Sequence, residues 1–223
     1  MKLAKLSLVA IVVAGFTSSS FAADTLADAF KNGKVSGELK AWYFDRDNGA
    51  ASGTTHENIL STGVMLNYVT DALMGFRAGV TFQSNYAPFA DGAAGVNGSK
   101  DMYKGDMYGS GAVLSEAYLG YAIGKTDVKI GRQFISTPLV SGSGSRMVKE
   151  SFEGATLVNT DIPQTTLIAG YVNKFQGRTS TLENTTDYGS IGDFSKVYAL
   201  STGKGASVSK AYIDDAYTAG IIN

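Results

Sequence analysis

The sequence predicts an all-β protein, a transmembrane antiparallel up-and-down β-barrel, of which this chain forms a partial barrel of about eight strands. Three observations indicate this class. Segments of about ten residues alternate apolar and polar side chains, long and short connections alternate between them, and aromatic residues recur near their ends. About ten residues rising roughly 3.3 Å each, tilted near 45°, cross about 23 Å, close to the apolar band of roughly 25 Å in such barrels.

The aromatic residues favour a barrel over the main alternative, a soluble β-sandwich, which would alternate in the same way. In a membrane barrel, aromatic side chains form girdles at the two interfaces. The residues expected in these girdles are Trp42, Tyr43, Phe44, Phe82, Tyr86, Phe134, Tyr171 and Phe175.

Composition agrees with β structure and excludes several functional classes. The chain has 27 glycines, 12 tyrosines and 11 phenylalanines but only 3 prolines, which favours strands joined by turns. The absence of cysteine excludes thiol catalysis, disulfides and zinc–thiolate sites. The balance of 19 basic and 20 acidic residues gives no electrostatic footprint for nucleic acid, and no motif calls for a cofactor.

Residues 1–22 have the pattern of a secretory signal peptide. Lys2 and Lys5 give the positive start, residues 6–16 form an apolar centre, and a small-x-small cleavage site ends at Ala22. The apolar run is too short for a spanning helix, which needs about 20 residues. We therefore expect cleavage after Ala22, leaving 23–223 as the part of the barrel present in this chain.

The predicted elements follow in order along the mature chain. Residues 24–33 form a short amphipathic segment, with Leu26, Ala29 and Phe30 at helical spacing. Strands are predicted at 34–45, 59–69, 76–86, 112–123, 127–134, 155–159, 165–173 and 197–201. Residues 45–58 are predicted as a polar loop, and residues 203–223 show no clear period.

Alternation assigns the faces of each strand. The third strand is the clearest, because Phe76, Val80 and Phe82 alternate with Arg77 and Gln83. In the fourth strand, the apolar face is predicted to carry Val113, Ala117, Leu119, Tyr121 and Ile123, with Glu116 on the other face.

The sequence pattern of residues 127–154 changes twice, from a strand to a Ser/Gly run and then to charged residues. It begins as a strand, and Pro138 ends that strand because proline cannot donate to a ladder. A run of serine and glycine at 141–145 follows, and then charged residues that include Arg146 and Lys149. This pattern predicts a long loop with a charged tip.

These segments together resemble the OprD family of bacterial outer-membrane porins. The resemblance is carried by DTLADAF at 24–30, VSGEL at 35–39, FDRD at 44–47, LSEAYL at 114–119, GRQ at 131–133, TPL at 137–139 and FEG at 152–154. It implies a monomeric or homotrimeric barrel of about eighteen strands in outer-membrane lipid. It also implies that a third external loop, here 136–151, folds into the lumen and narrows a path for small hydrophilic solutes, including carboxylate-bearing ones.

The number of predicted strands differs from that of the OprD family. About eight strands are less than half of such a barrel, and the last residue, Asn223, is not the aromatic with which such barrels generally end. We expect the chain to be the N-terminal portion of a longer porin. The alternative is a closed barrel of eight strands, whose interior side chains would fill.

Charged residues on the inner face and on the loop are the candidate pore-lining residues, because the charges along a pore decide which solutes pass through it. Alternation and the loop assignment give Glu38, Lys40, Arg77, Glu116, Lys129, Arg146 and Lys149. Arg132 is a further candidate, although strict alternation places it on the lipid face. Either a bulge at Gly131 turns Arg132 inward, which we favour, or Arg132 lies at the interface and snorkels.

Two other functions are weighed against a pore. The long loop 87–111 would suit a surface adhesin anchored by the barrel. A hydrolase would need His56 as its base, but a solvated histidine is the simpler interpretation. Asp45 opens a segment similar to a calcium loop, yet His56 stands where the twelfth-position carboxylate is required, so no metal is expected.

Overall fold

The computed structural model of the protein describes residues 23–50, 53–88, 111–137, 140–178, 195–200, 210–213 and 215–222. The predicted signal peptide and most of the predicted loop 87–111 lie outside these residues. The elements are α1 (Leu26–Lys31), β1 (Lys34–Ala50), β2 (Gly53–Val69), β3 (Phe76–Asn85), β4 (Gly111–Ile123), β5 (Thr126–Gln133), β6 (Ser151–Asn159), β7 (Thr166–Gln176), β8 (Ser195–Leu200), β9 (Lys210–Ile213) and β10 (Ala216–Ile222).

The strands form one antiparallel sheet in which neighbours in sequence are neighbours in space, which confirms the predicted all-β, up-and-down class. The pairing path runs from β1 to β9, and β10 pairs with β7. Within the described residues this path does not return to β1, so the sheet is open, as expected of a partial barrel.

The first two strands are longer than predicted. Asp45 to Ala50 continue β1 and pair residue by residue with the start of β2, down to the pair Ala50 and Gly53. The polar loop predicted at 45–58 is therefore wrong. Ladder hydrogen bonds come from the backbone, so a hairpin can continue through polar residues that no longer alternate. His56 lies in this hairpin, opposite Asp47.

The sheet has an apolar outer face and a more polar inner face. Leu39 is 88% exposed and Ile130 is 62% exposed, as expected of side chains that meet lipid instead of a protein core. The outward-facing residues with large exposed apolar side chains include Val35, Leu39, Tyr43, Val64, Leu66, Phe76, Val80, Phe82, Tyr86, Leu114, Leu119, Ile123, Ile130, Leu157, Tyr217 and Ile221.

A bulge in β4 changes the predicted faces of that strand. Thr81 pairs with Glu116 and Phe82 pairs with Leu114, so Ser115 is an extra residue in the ladder. Leu114 is consequently exposed, and Val113 is buried on the inner face. The prediction that Val113 shares the apolar face with Leu119 is therefore wrong.

The C-terminal part contains strands where none was predicted. β9 pairs with β8, and β10 pairs with β7 from Ala216 opposite Val172 to Ile222 opposite Thr166. In β10, exposed Tyr217 and Ile221 alternate with less exposed residues. This short period-2 pattern is the signal that could have located the strand.

The helix α1 precedes the sheet. The Thr25 hydroxyl caps its first turn by accepting a hydrogen bond from the Asp28 N–H at 3.1 Å. The Ala23 N–H donates to the Ala72 carbonyl at 2.8 Å, which ties the segment to the short connection after β2. Among the described residues, no helix is long and apolar enough to cross a membrane.

Candidate pore constriction

The connection between β5 and β6, described at residues 134–137 and 140–150, lies against the inner face of the sheet. We call this segment the inward loop. The Lys40 ammonium group donates to the Met147 carbonyl at 3.2 Å. Gln83 of β3 exchanges two hydrogen bonds with the Lys149 backbone, accepting from its N–H at 2.9 Å and donating to its carbonyl at 3.0 Å. The loop is thus attached to β1 and β3, neither of which pairs with the strands β5 and β6 that it connects.

Two apolar side chains anchor the inward loop. Met147 is buried against Ile59 and Ala87, and Val148 is buried against Val113. Burying a side chain of this size is worth roughly 1.5–3 kcal/mol. The loop therefore has its own small core on a face that is otherwise largely polar.

A row of buried polar side chains supports the C-terminal end of the loop. Gln83 donates to the Ser115 hydroxyl at 2.7 Å, and that hydroxyl donates to the Gln176 side-chain oxygen at 2.8 Å. The Ser151 hydroxyl donates to the same oxygen at 3.1 Å. All four side chains are fully or almost fully buried, so these hydrogen bonds satisfy groups that water cannot reach.

Glu116 holds the other end of the loop. Its carboxylate accepts from the Thr81 hydroxyl and from the Phe134 N–H, the latter at 3.0 Å. Glu116 is 8% exposed. It lies on the predicted inner face, but its charge is covered and is used to position the first residue of the loop.

Arg178, which follows β7, binds the tip of the loop. Its guanidinium group donates to the Ser143 and Ser145 hydroxyls, both at 2.6 Å, and lies 3.7 Å from the Glu150 carboxylate. Glu150 in turn accepts from the Ser143 N–H at 2.7 Å. No sequence pattern links Arg178 to residues so far away in the chain, and it was not among the predicted candidates.

The two loop cations lie over aromatic rings. The Arg146 guanidinium carbon is 5.6 Å from the centre of the Trp42 ring and 5.7 Å from that of Phe44. The Lys149 nitrogen is 4.4 Å from the centre of the Phe134 ring. These distances suit cation–π attraction, which orients each cation.

Trp42 and Phe44 therefore do not belong to an interface girdle, and that part of the prediction is wrong. They alternate with outward-facing Tyr43 and share the inner face with Lys40. Neighbours in a strand point to opposite faces, so three adjacent aromatic residues cannot all meet the membrane. Phe175 likewise packs against inward-facing Phe152.

The remaining candidates also lie on the inner face of the sheet. Lys40 is 3.4 Å from the Glu38 carboxylate. Arg77 reaches both carboxylate oxygens of Asp127, at 2.6 and 2.7 Å. The Lys129 nitrogen is 4.9 Å from the centre of the Tyr118 ring. The inner face therefore carries both positive and negative charges. Asp127 was not among the predicted pore-lining residues.

Arg132 lies on the outer face, and the bulge favoured at Gly131 is wrong. Pairing is continuous through Gly131, which lies opposite Tyr118 on one side and Gly154 on the other. Gly131 has a φ of 121°, and a Cβ there would lie 2.3 Å from the Ala117 carbonyl oxygen. The glycine thus permits a close approach of two strands without changing the face of Arg132.

Comparison with known families decides the relationship. The sequence model described as outer membrane porin, OprD family, matches residues 27–217. The chain belongs to the OprD family. Membership in this family of outer-membrane porins places the chain in the outer membrane.

Solved OprD-type structures have the same fold. Pseudomonas aeruginosa OccK8 (OprE) matches with a TM-score of 0.61 and 18% identity, covering 87% of this chain and 43% of that one. Acinetobacter baumannii OccAB3 matches with a TM-score of 0.63 and 17% identity, covering 86% and 46%. P. aeruginosa OccK2 (OpdF), solved in complex with glucuronate, matches with a TM-score of 0.57 and 17% identity, covering 86% and 42%.

The chain therefore spans less than half the length of these structures. The comparison with curated proteins gave no match.

Proposed function

We propose that this chain forms part of an outer-membrane channel for the passive diffusion of small hydrophilic solutes, including solutes that carry a carboxylate. No chemical turnover is involved. The observation that carries the proposal is the inward loop, which apolar and polar contacts hold on the inner face of the sheet. A loop held inside a barrel narrows the path, and its charges act on every solute that passes.

The charges at the loop favour anions. Arg146, Lys149 and Arg178 contribute three positive charges, and Glu150 contributes one negative charge. Arginine suits carboxylates because its planar guanidinium group can donate two parallel hydrogen bonds. The relative solved with glucuronate, a carboxylated sugar, supports this substrate class by analogy.

The test is conductance of the complete gene product in a planar lipid bilayer. We expect stepwise ionic current and, in a salt gradient, a reversal potential that shows a preference for anions. The double variant Arg146→Gln with Lys149→Gln should shift this preference toward cations. Lys125→Gln, in the exposed turn between β4 and β5, is the matched control and should leave it unchanged.

Correctly folded protein that gives no current steps would overturn the proposal. That outcome would favour the alternative of an adhesin that uses the barrel as an anchor. The loop on which an adhesin would depend, 87–111, falls mostly outside the described residues.

A further inference from the structure

Ionisable side chains are rare on the outer face of the sheet. Among residues 34–45, 58–85, 111–133 and 151–176 of β1 to β7, the outward-facing positions carry apolar, small or neutral residues with four exceptions: Asp45, Arg132, Glu153 and Lys174. Asp45 stands apart on β1. The other three occupy neighbouring strands.

These three residues form a single row across β5, β6 and β7, which we call the outer charge row. Arg132 pairs directly with Glu153, and Glu153 pairs directly with Lys174. The Glu153 carboxylate is 3.3 Å from the Arg132 guanidinium group and 2.7 Å from the Lys174 ammonium group. The row thus reads positive, negative, positive, and its net charge is positive.

The row lies near the end of the sheet that bears the long connections. Arg132 is the last outward-facing residue of β5 before Gln133 ends the strand, and Glu153 lies two residues after the start of β6. In outer-membrane barrels the long connections are external. A cation on the lipid face costs about 2–4 kcal/mol at the midplane but only about 0–1 near an interface, so the headgroup level is where such a row is tolerated.

The surroundings leave the cations accessible from outside. The residues paired on the same face are small, with Ala117 beside Arg132 and Ala155 one outward position below Glu153. The side chains of Arg132 and Lys174 retain 33% and 43% exposure. Exposed Leu114 and Ile130 flank the row with apolar surface.

We propose that the outer charge row binds the phosphate groups of lipid headgroups in the outer leaflet. Arg132 donates to Glu153 and to the Leu114 carbonyl, and its five N–H groups would allow further donation to phosphate oxygens. Lys174 would add a second positive charge. Glu153 lies between the cations and holds them apart at a fixed spacing. Because the row faces away from the lumen, its partner is a membrane lipid and not a diffusing solute.

Native mass spectrometry of the complete gene product in detergent tests this proposal. The probes are bis-phosphorylated lipid A and the same lipid after enzymatic removal of its phosphates. The protein should retain the phosphorylated lipid, and the double variant Arg132→Gln with Lys174→Gln should weaken its binding roughly thirtyfold, since each cation near a charged lipid surface contributes about 1 kcal/mol. Binding of the dephosphorylated lipid should be weak for both proteins.

Two further variants control for charge and folding. The variant Lys34→Gln with Lys125→Gln removes two cations at the opposite end of the sheet and should bind like the wild type. The variant Arg132→Lys with Lys174→Arg keeps both charges and should retain binding. Heat-dependent mobility on gels checks that every variant is folded.

Equal binding of phosphorylated and dephosphorylated lipid would overturn the proposal. So would equal binding of phosphorylated lipid by the wild type and the Gln variant. If the Gln variant lost oligomer mass while keeping its lipid, the row would instead be a contact between copies of the chain.

Discussion

Glu116 accepts a hydrogen bond from the Phe134 N–H at 3.0 Å, at the point where β5 ends and the inward loop begins. This buried carboxylate thereby fixes the direction in which the chain leaves the sheet at the end of β5. The Thr81 hydroxyl donates to the same carboxylate, so the contact joins β3, β4 and the loop.

Replacing Glu116 by Leu should loosen the start of the inward loop. The Phe134 N–H and the Thr81 hydroxyl would both lose their acceptor, and each buried group left unsatisfied costs about 1–3 kcal/mol. We expect a lower unfolding midpoint in urea and rapid flicker in single-channel current. Glu116→Gln keeps a carbonyl acceptor and should lie between Leu and the wild type. Steady current from the Leu variant would contradict this role.

Replacing Met147 by Ala should free the middle of the loop. Met147 is buried against Ile59, and removing a buried methionine side chain typically costs about 2–5 kcal/mol. Because the loss is local, we expect faster proteolysis within residues 140–150 while the barrel stays folded on gels. Met74→Ala is the control, since Met74 is 82% exposed and its change should stay within about 0.5 kcal/mol.

Replacing Gly131 by Ala should destabilise the sheet where β5 pairs with β4. The added Cβ would meet the Ala117 carbonyl at 2.3 Å, and alanine adopts a φ of 121° only with strain. Strained backbone of this kind costs on the order of 1–3 kcal/mol. Urea unfolding should show this loss, whereas Gly220→Ala should show little change because nothing lies within 4 Å of its Cβ position. Equal urea unfolding midpoints for the two variants would contradict the close contact between Gly131 and the Ala117 carbonyl.

Replacing Arg178 by Gln should reduce anion preference and release the loop tip. The change removes a positive charge and the donors to the Ser143 and Ser145 hydroxyls. A partly exposed charge is worth about 0.2–1 kcal/mol, so the anion-to-cation permeability ratio should fall roughly 1.4-fold to 5-fold. The effect should shrink in high salt, because ions screen it. A salt-independent change would point to altered loop shape instead.

Alternation predicts the faces of strands whose register is unbroken. In β3, exposed Phe76, Val80 and Phe82 alternate with buried Thr81 and Gln83, as the sequence indicates. The reason is geometric, since neighbouring residues in a strand always point to opposite faces. The outer apolar face and the inner polar face both follow from this rule.

Alternation cannot locate an extra residue, because a bulge depends on the partner strand. Ser115 is extra only with respect to the pairs that Thr81 and Phe82 make in β3. Nothing in the local sequence marks it. The misplaced Val113 and the bulge wrongly favoured at Gly131 are two results of this limit.

Most contacts of the inward loop also cannot be predicted from the sequence. The loop and its charged tip were predicted from the glycines and serines at 141–145. Its partners are distant in the chain, such as Gln83, which lies 66 residues from Lys149. Contacts of this kind depend on how the whole sheet curves, and no local pattern encodes that curvature.

Ser115 has a consequence for how the barrel wall tolerates changes in chain length. If Ser115 were deleted, Glu116 would still point inward, Leu114 outward and Val113 inward, because the remaining residues already pair as an uninterrupted ladder would. A deletion elsewhere in β4 would turn every residue on one side of it to the wrong face. The bulge is therefore a position where one residue can be lost while lipid and lumen each keep the side chains that suit them.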